Sequence, residues 1–333
     1  MFKAIILAGG SGERFWPLST PEKPKQFLNV FGGESLIRQS VSRLKGLVKP
    51  EDVFVITSKA LVAATRKELP EIPKANIVGE PKRRDTGAAV ALGVGVASSC
   101  ASLTSGEDAA SPLVLGFFSS DQLATNPERF RKAVSAAITK AKRKDAIATI
   151  GIKPTYPATQ FGYVNPKTGR FVEKPNEANA KVYLKKGFLW NAGMFIGCAE
   201  TFKAAFAAHA PELLPLLSSR VSRLKSCYES LPRISFDYAV MEKLRRVEVV
   251  KGDFGWDDVG SYGAFDKYFP HDSRGNVREG PCMVVEADGN ICVARSARIS
   301  LLGVKNLVVV TTPNAVLVAD KGRVAEMKKL FAQ

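Results

Sequence analysis

Histidine, paired cysteine and long apolar runs are what this sequence has little of. Its five cysteines (Cys100, Cys198, Cys227, Cys282 and Cys292) are odd in number and scattered, and no two stand as Cys-x-x-Cys. That spacing excludes a zinc ribbon and a disulfide framework, and fits reduced thiols in a cytosolic protein. Only His209 and His271 are present, neither within a motif, so histidine acid–base catalysis has no candidate. No run approaches the roughly 20 apolar residues that span a bilayer. The N-terminus enters strand-like residues directly, without a basic n-region, hydrophobic segment and cleavage site. A cytoplasmic protein with no membrane partner is expected.

Negative charge is also scarce: 32 acidic residues against 48 basic ones give a formal charge of +16. Such an excess suits nucleic acid, an anionic surface or small polyanions. Lys and Arg are spread along the chain, and the densest run, Lys140 to Lys144, has no interleaved aromatics and reads as a solvated helix face. Without a recognition motif beside the charge, small polyanionic substrates are expected and nucleic acid is not. With 333 residues, 45% of them apolar, the chain can build one large domain or one domain with an appendage.

What is present begins with Ile5 to Leu28, IILAGGSGERFWPLSTPEKPKQFL. An apolar run ends in Gly9-Gly10-Ser11-Gly12, Arg14 follows at once, and Pro24-Lys25-Gln26-Phe27 closes the stretch. A buried strand feeding a glycine-rich turn lets backbone N–H groups converge on phosphate oxygens. Arg14 adds a planar donor fork and Lys25 a compact charge. An ordinary strand-to-helix turn has the same glycines; the basic residues at both ends favour phosphate. The motif is neither a dinucleotide fingerprint, which needs a third glycine further on, nor a P-loop, which needs G-K-(S/T).

Helical spacing over Ser35 to Leu47, a β-branched run over Asp52 to Thr57, helix over Ala60 to Leu69 and strand over Asn76 to Gly79 then alternate. That is the pattern of a doubly wound, mostly parallel α/β sheet, whose ligands sit at the carboxyl ends of strands. Glu80-Pro-Lys-Arg-Arg84-Asp85-Thr86 is a charged turn before a small-residue helix, or simply a capped surface turn. Ser98 to Ser111 reads as a flexible surface excursion. The strand Leu113 to Phe118 delivers Asp121, placed either for a hard cation such as Mg²⁺ or as a turn cap. Pro127 to Lys142 reads as an amphipathic helix and Ala146 to Ile152 as a strand. Asn191 is able to donate and accept toward a sugar diol. Helical spacing over Thr201 to Leu224 is broken at Pro211, and Ser235 caps a helix carrying Asp237 in its first turn. Beyond Phe269, short strands recur every ~8–10 residues to form an all-β appendage, followed by a helix over Val324 to Phe331.

The opening stretch resembles the signature of the sugar-1-phosphate nucleotidyltransferase family, and W-P-L-S ahead of P-K-Q-F-L narrows the likeness to its mannose-1-phosphate guanylyltransferase branch. Five more blocks follow in the family's order, over about residues 3–320. Glu80 to Thr86 resembles E-P-x-x-R-(N/D)-T, which lines the base pocket, with Asp85 as the acidic choice able to accept from guanine. Tyr156 to Val164 resembles the sugar-contacting P-x-T-G-Y-G-Y-I, with Gln160 in place of the first glycine and Gly162 kept. Val172-Glu173-Lys174-Pro175 is V-E-K-P. Ser235 to Glu242 resembles S-x-D-Y-A-V-M-E, read as support for the sugar pocket. Trp256 to Gly260 resembles W-x-D-(V/I/L)-G. The largest departure is Phe118-Ser119-Ser120-Asp121-Gln122, where the family has L-P-(A/S)-D-H; the Asp alone is kept.

The resemblance implies a Rossmann-like, glycosyltransferase-A-like catalytic domain over residues 1–269. It also implies a C-terminal left-handed β-helix-like domain over 270–333, often a dimerisation element, with no isomerase domain following. It further implies Mg²⁺-dependent transfer of GMP from GTP to mannose 1-phosphate by a homodimer. Leu7, Ala8, Gly9, Gly10, Ser11, Gly12, Glu13, Arg14 and Lys25, with Glu80, Arg84, Asp85 and Thr86, take the nucleotide. Arg14 and Lys25 act on its phosphates, and Asp121 and Asp258 hold the metal. Gly162, Glu173, Lys174 and Asn191 take the sugar phosphate. Transfer of another base or to another hexose, and a non-catalytic sugar-nucleotide sensor, are the competing expectations.

Overall fold

A computed structural model describes residues 1–10, 12–101, 112–144, 146–218 and 224–331. The chain forms two compact units, neither of them a contiguous segment. The first comprises Met1–Gly9, Arg38–Ser120 and Ala124–Trp256; the second comprises Gly10–Ile37, Asp121–Leu123 and Asp257–Gln333. The boundary expected at 269/270 therefore falls inside the second unit.

The first unit is organised on a nine-stranded sheet. Its main path runs Glu248–Gly252, Ala148–Ile152, Leu189–Cys198, Val114–Ser119, Phe2–Ala8, Val53–Ser58, Ile77–Glu80. Phe2–Ala8 is central and parallel to both neighbours, whereas Leu189–Cys198 runs antiparallel to both of its own. Successive strand residues face opposite sides, so Phe117 and Phe118 report the two layers. The Phe117 ring meets Phe202 of the helix Ala199–His209 at 5.1 Å, and Phe118 meets Phe130 of the helix Pro127–Lys144 at 6.0 Å. The sheet is thus covered on both faces, as the alternating pattern predicts.

The helix Asp85–Ala101 explains its own run of small residues. A Cβ on Gly93 would stand 2.8 Å from the Phe117 ring and 3.0 Å from Ile5, so the helix reaches the sheet only because that atom is missing. This helix also takes in Ser98 to Ala101, which the composition assigns to a surface excursion; residues 102–111 lie outside the described residues. Elsewhere helices are shorter than their periodicity predicts. Leu36–Ser42 replaces Ser35 to Leu47, because Leu44 is buried and Leu47 half-buried in turns after the helix has ended. The stretch after Thr201 is divided into Ala199–His209, Pro211–Leu213 and Pro215–Ser218, its prolines denying the N–H a continuous helix needs.

In the second unit, Val277–Glu279, Ile291–Ala294 and Leu307–Thr312 stack in parallel, with Ala315–Asp320 antiparallel at the edge. Cys282–Val285 and Ile299–Leu302 form a second parallel pair. Val277 pairs with Ile291 and Ile291 with Val308, the repeat of a β-helix. Buried asparagines stitch the turns: Asn290 donates through its backbone N and Nδ2 to Asn276 Oδ1, both at 2.9 Å, and accepts from the Leu307 N–H at 2.9 Å. Phe15, Phe31, Tyr262 and Phe265 bury against Val277, Ile291, Val293, Val308 and Val310. The Tyr262 hydroxyl donates to the Phe15 carbonyl at 2.9 Å. These aromatics are why the glycine-rich loop folds with the β-strands rather than with the sheet whose first strand leads into it. Lys321–Phe331 is a 3₁₀ helix, longer than the segment predicted. Among the described residues, no helix is long and apolar enough to cross a membrane.

Candidate active site

Of the predicted site residues, the second unit brings Gly12, Glu13, Arg14, Lys25, Asp121 and Asp258 onto one cleft of about 170 Å³, together with Phe15, Gly260 and Lys328. That is below the ~300–1,000 Å³ of a pocket for a drug-sized ligand and suits a phosphate chain. Gly12 has φ +65°, and a Cβ there would run into the Lys25 backbone nitrogen and Cβ. This is the position where glycine is required on both counts. Gly10 has open space where a Cβ would stand, and Ser11 lies outside the described residues.

Lys25 is buried in the short 3₁₀ turn Lys25–Phe27. Its Nζ donates to Asp121 Oδ2 at 3.0 Å and to the Asp258 carbonyl at 2.7 Å, so one ammonium ties together both predicted metal carboxylates' loops. Burial raises the Asp258 carboxyl above the ordinary aspartate range. Lys25 and Arg14 pull against that rise, while Asp121 and Asp257 add to it. Asp257, its neighbour, is committed elsewhere: its carboxylate pairs with Lys267 at 2.6 Å and accepts from the Tyr268 hydroxyl at 3.0 Å and from the Val259 N–H at 2.7 Å. Val259 is fully buried at φ +47°. A β-branched residue there is strained, and its burial and the bond from its N–H to Asp257 hold the peptide that follows Asp258.

The first unit holds the remaining predicted residues. Leu7 and Ala8 close the first strand, and a Cβ on Gly9 would stand 3.4 Å from Glu80 Oε2. Glu80 is buried and accepts from the Tyr228 hydroxyl at 3.0 Å. Burial pushes its carboxyl up to about 7, against the hydrogen bond from Tyr228. Arg84 donates to the carbonyls of Tyr228 (2.8 Å) and Glu229 (2.7 Å), and the Thr86 hydroxyl accepts from the Phe236 N–H at 2.9 Å. These two side chains fasten neighbouring backbone. Asp85, at φ +67°, keeps an exposed carboxylate. Its charge acts on Glu80 and also on Glu173 and Asp237, so it stands between the base-pocket block and the sugar block.

In the sugar block, Lys174 pairs with Glu173 at 2.7 Å and sits 5.9 Å over the Tyr238 ring. The Glu173 N–H donates to Glu242 at 2.8 Å. A Cβ on Gly162 would strike the Glu173 carboxylate, and the Asn191 N–H donates to the Gly162 carbonyl at 2.8 Å. Asn191 is partly committed within the unit. Its Oδ1 accepts from the Gly193 N–H (3.1 Å), and its Nδ2 donates to Asp237 at 3.1 Å. The Thr149 hydroxyl, with one proton to give, lies 2.8 Å from both Asn191 Oδ1 and the Met194 carbonyl. Burial, with Glu173 close by, pushes Asp237 up to about 7. Burial likewise raises Glu173, against the Lys174 ion pair. Thr149, Tyr228 and the acidity of Asp237 escape sequence reasoning; only Asp237 lay within a recognisable block.

Comparison with known proteins shows the family. Residues 3–274 match the family described as Nucleotidyl transferase, and residues 280–333 the one described as MannoseP isomerase/GMP-like beta-helix domain. A mannose-1-phosphate guanylyltransferase of Klebsiella pneumoniae is 33% identical over 99% of this chain and 73% of its own length. One of Escherichia coli (strain K12) is 33% identical over 99% of this chain and 72% of its own. A crystal structure described as mannose-1-phosphate geranyltransferase from Thermus thermophilus superposes with a TM-score of 0.88 at 33% identity, covering 99% of this chain and 98% of that one. With one family match over most of its length and a second on its β-helix, the chain belongs to the nucleotidyl transferase family.

Proposed function

We propose that this nucleotidyltransferase transfers GMP from GTP to α-D-mannose 1-phosphate. An oxygen of the sugar phosphate attacks the α-phosphorus in line, the bond to the β-phosphate breaks, and GDP-mannose and pyrophosphate result. The nucleophile is already anionic, so no general base is needed, and catalysis reduces to positioning and charge neutralisation. The observation that carries the reading is the cleft on which Gly12, Arg14, Lys25, Asp121 and Asp258 meet. The names borne by relatives one-third identical over nearly the whole chain supply the substrates. Arg14 takes the β- and γ-phosphates, and Lys25 the charge building on the α-phosphate and leaving group. Lys174 takes the sugar phosphate, and Glu173 and Asn191 the hexose hydroxyls.

Asp121 and Asp258 fit Mg²⁺. Both are hard oxygen donors, they repel each other, and among the described residues no third acidic, histidine or cysteine ligand joins them. Two carboxylates completed by water and substrate phosphate are the usual protein share of a Mg²⁺ site. Bound there, the ion would supply charge neutralisation on the phosphate chain. A cytoplasmic homodimer completes the reading, its interface supported by the exposed apolar side chains Met283, Leu302, Val316 and Val318 on the β-helix.

Pyrophosphate release measured across a panel of nucleoside triphosphates and hexose 1-phosphates, with and without Mg²⁺, tests the proposal. Turnover should be fastest with GTP and mannose 1-phosphate and should need the metal. Tight GDP-mannose binding with no turnover would replace the enzyme by a sensor.

A further inference from the structure

The phosphate cleft has one lining residue that lies in none of the recognised blocks. Lys328 belongs to the 3₁₀ helix Lys321–Phe331, some three hundred residues along the chain from the glycine-rich loop it faces. That helix is firmly seated: Val324 and Met327 are buried in the core beneath the loop, and the Phe331 ring meets Trp16 at 6.0 Å. Its other cations are neutralised. Arg323 and Lys329 share Glu326 at 3.0 and 2.6 Å, and Lys321 pairs with Asp266 at 2.6 Å. Lys328 is exposed and, among the described residues, makes no ion pair. Among the charged side chains on the cleft, Glu13, Asp121 and Asp258 otherwise outnumber Arg14 and Lys25, and Lys328 brings the two signs level.

We propose that Lys328 is a further ligand of the triphosphate, gripping the β/γ end and, after transfer, the departing pyrophosphate. The assignment rests on the reading of this cleft as the triphosphate site. An exposed ammonium on a fixed helix face loses little solvation when a phosphate oxygen replaces water, and a charge-assisted hydrogen bond is among the stronger polar contacts. Truncating it costs about tenfold in affinity.

Calorimetric titration of the full chain with GTP, GMP and pyrophosphate, without sugar phosphate and in Mg²⁺-containing buffer, tests this. Lys328→Ala should weaken GTP and pyrophosphate about tenfold and leave GMP unchanged, Lys328→Arg should restore most of the loss, and Lys329→Ala should behave as wild type. GTP and pyrophosphate binding unchanged in Lys328→Ala overturns the assignment alone. So does equal weakening of GMP, or equal weakening by Lys329→Ala, which would mark a diffuse field rather than a contact. A wild-type protein that binds no triphosphate or pyrophosphate overturns the cleft reading, and the assignment with it.

Discussion

Replacing Lys25 with methionine keeps the side chain's length and removes its charge, which separates the two roles the structure gives this ammonium. The first is structural. At 3.0 Å from Asp121, Coulomb's law with an effective dielectric of about 20 gives roughly 5 kcal/mol of gross attraction. The Asp121 side chain is 32% exposed and the Lys25 side chain 8%, so solvent screening and the cost of desolvating the ammonium cancel most of that. A net loss of about 1–2 kcal/mol is expected at neutral pH. Asp258 sets the pH dependence. Its carboxyl is already raised, and loss of Lys25 removes the largest influence holding it down. A group raised in the folded state stabilises below its unfolded value, and that contribution disappears as pH rises through the folded value. The deficit of Lys25→Met should therefore be largest at neutral pH and shrink as the solution is acidified. The second role is catalytic: loss of a preorganised charge at the α-phosphate costs about 10²–10³ in turnover. Urea unfolding across pH and steady-state pyrophosphate release measure the two effects on one protein. A folded Lys25→Met with near-wild-type turnover would refute the catalytic argument, and a deficit that grows on acidification would refute the electrostatic one.

Gly12→Ala should abolish most GTP turnover, because the added Cβ collides with Lys25 at a backbone angle that disfavours alanine; GTP titration and kinetics both read this. Thr149→Val removes the buried hydroxyl that lies between Asn191 Oδ1 and the Met194 carbonyl. It should destabilise by about 1–2 kcal/mol and raise KM for mannose 1-phosphate several-fold with KM for GTP unchanged, as chemical unfolding and steady-state kinetics would show. Tyr228→Phe removes the hydrogen bond that holds the Glu80 carboxyl down toward about 7. The raised group stabilises fully below its ordinary value of 4.5 and loses that effect as pH rises through about 7; in Tyr228→Phe the loss should shift to higher pH, seen in melting temperature against pH.

The sheet was legible wherever strands were β-branched and bounded by turns. Val53–Ser58 and Val114–Ser119 each stand within one residue of their expected limits. The meeting of Gly12, Arg14 and Lys25 on one cleft was legible too, because a glycine turn with basic residues at both ends of the stretch brings them round to one place. Helix lengths read less well: Leu44 keeps the helical spacing yet buries from a turn, since periodicity reports which residues are buried and not the backbone that buries them. The hydrogen-bond economy of Asn191 was not legible. An amide's capacity for a ligand depends on what surrounds it, and Thr149, whose hydroxyl lies against the Asn191 oxygen, is 42 positions away. Nor was the division into units: Phe15 and Phe31 look like ordinary loop hydrophobics until Tyr262, Phe265 and the β-helix valines close over them.

That shared core makes the β-helix more than an outrigger. Phe15 sits directly after Arg14, and Tyr262 hangs from the loop that begins at Asp258, so whatever grips the cleft also braces the coil beneath it. Ligand occupancy should therefore be felt as slower amide exchange in the Ile291–Ala294 and Leu307–Thr312 rungs, none of whose residues lines the cleft. Conversely, wear in those rungs, even a single methyl lost from Val293 or Val308, should loosen the hold on the nucleotide before the protein unfolds.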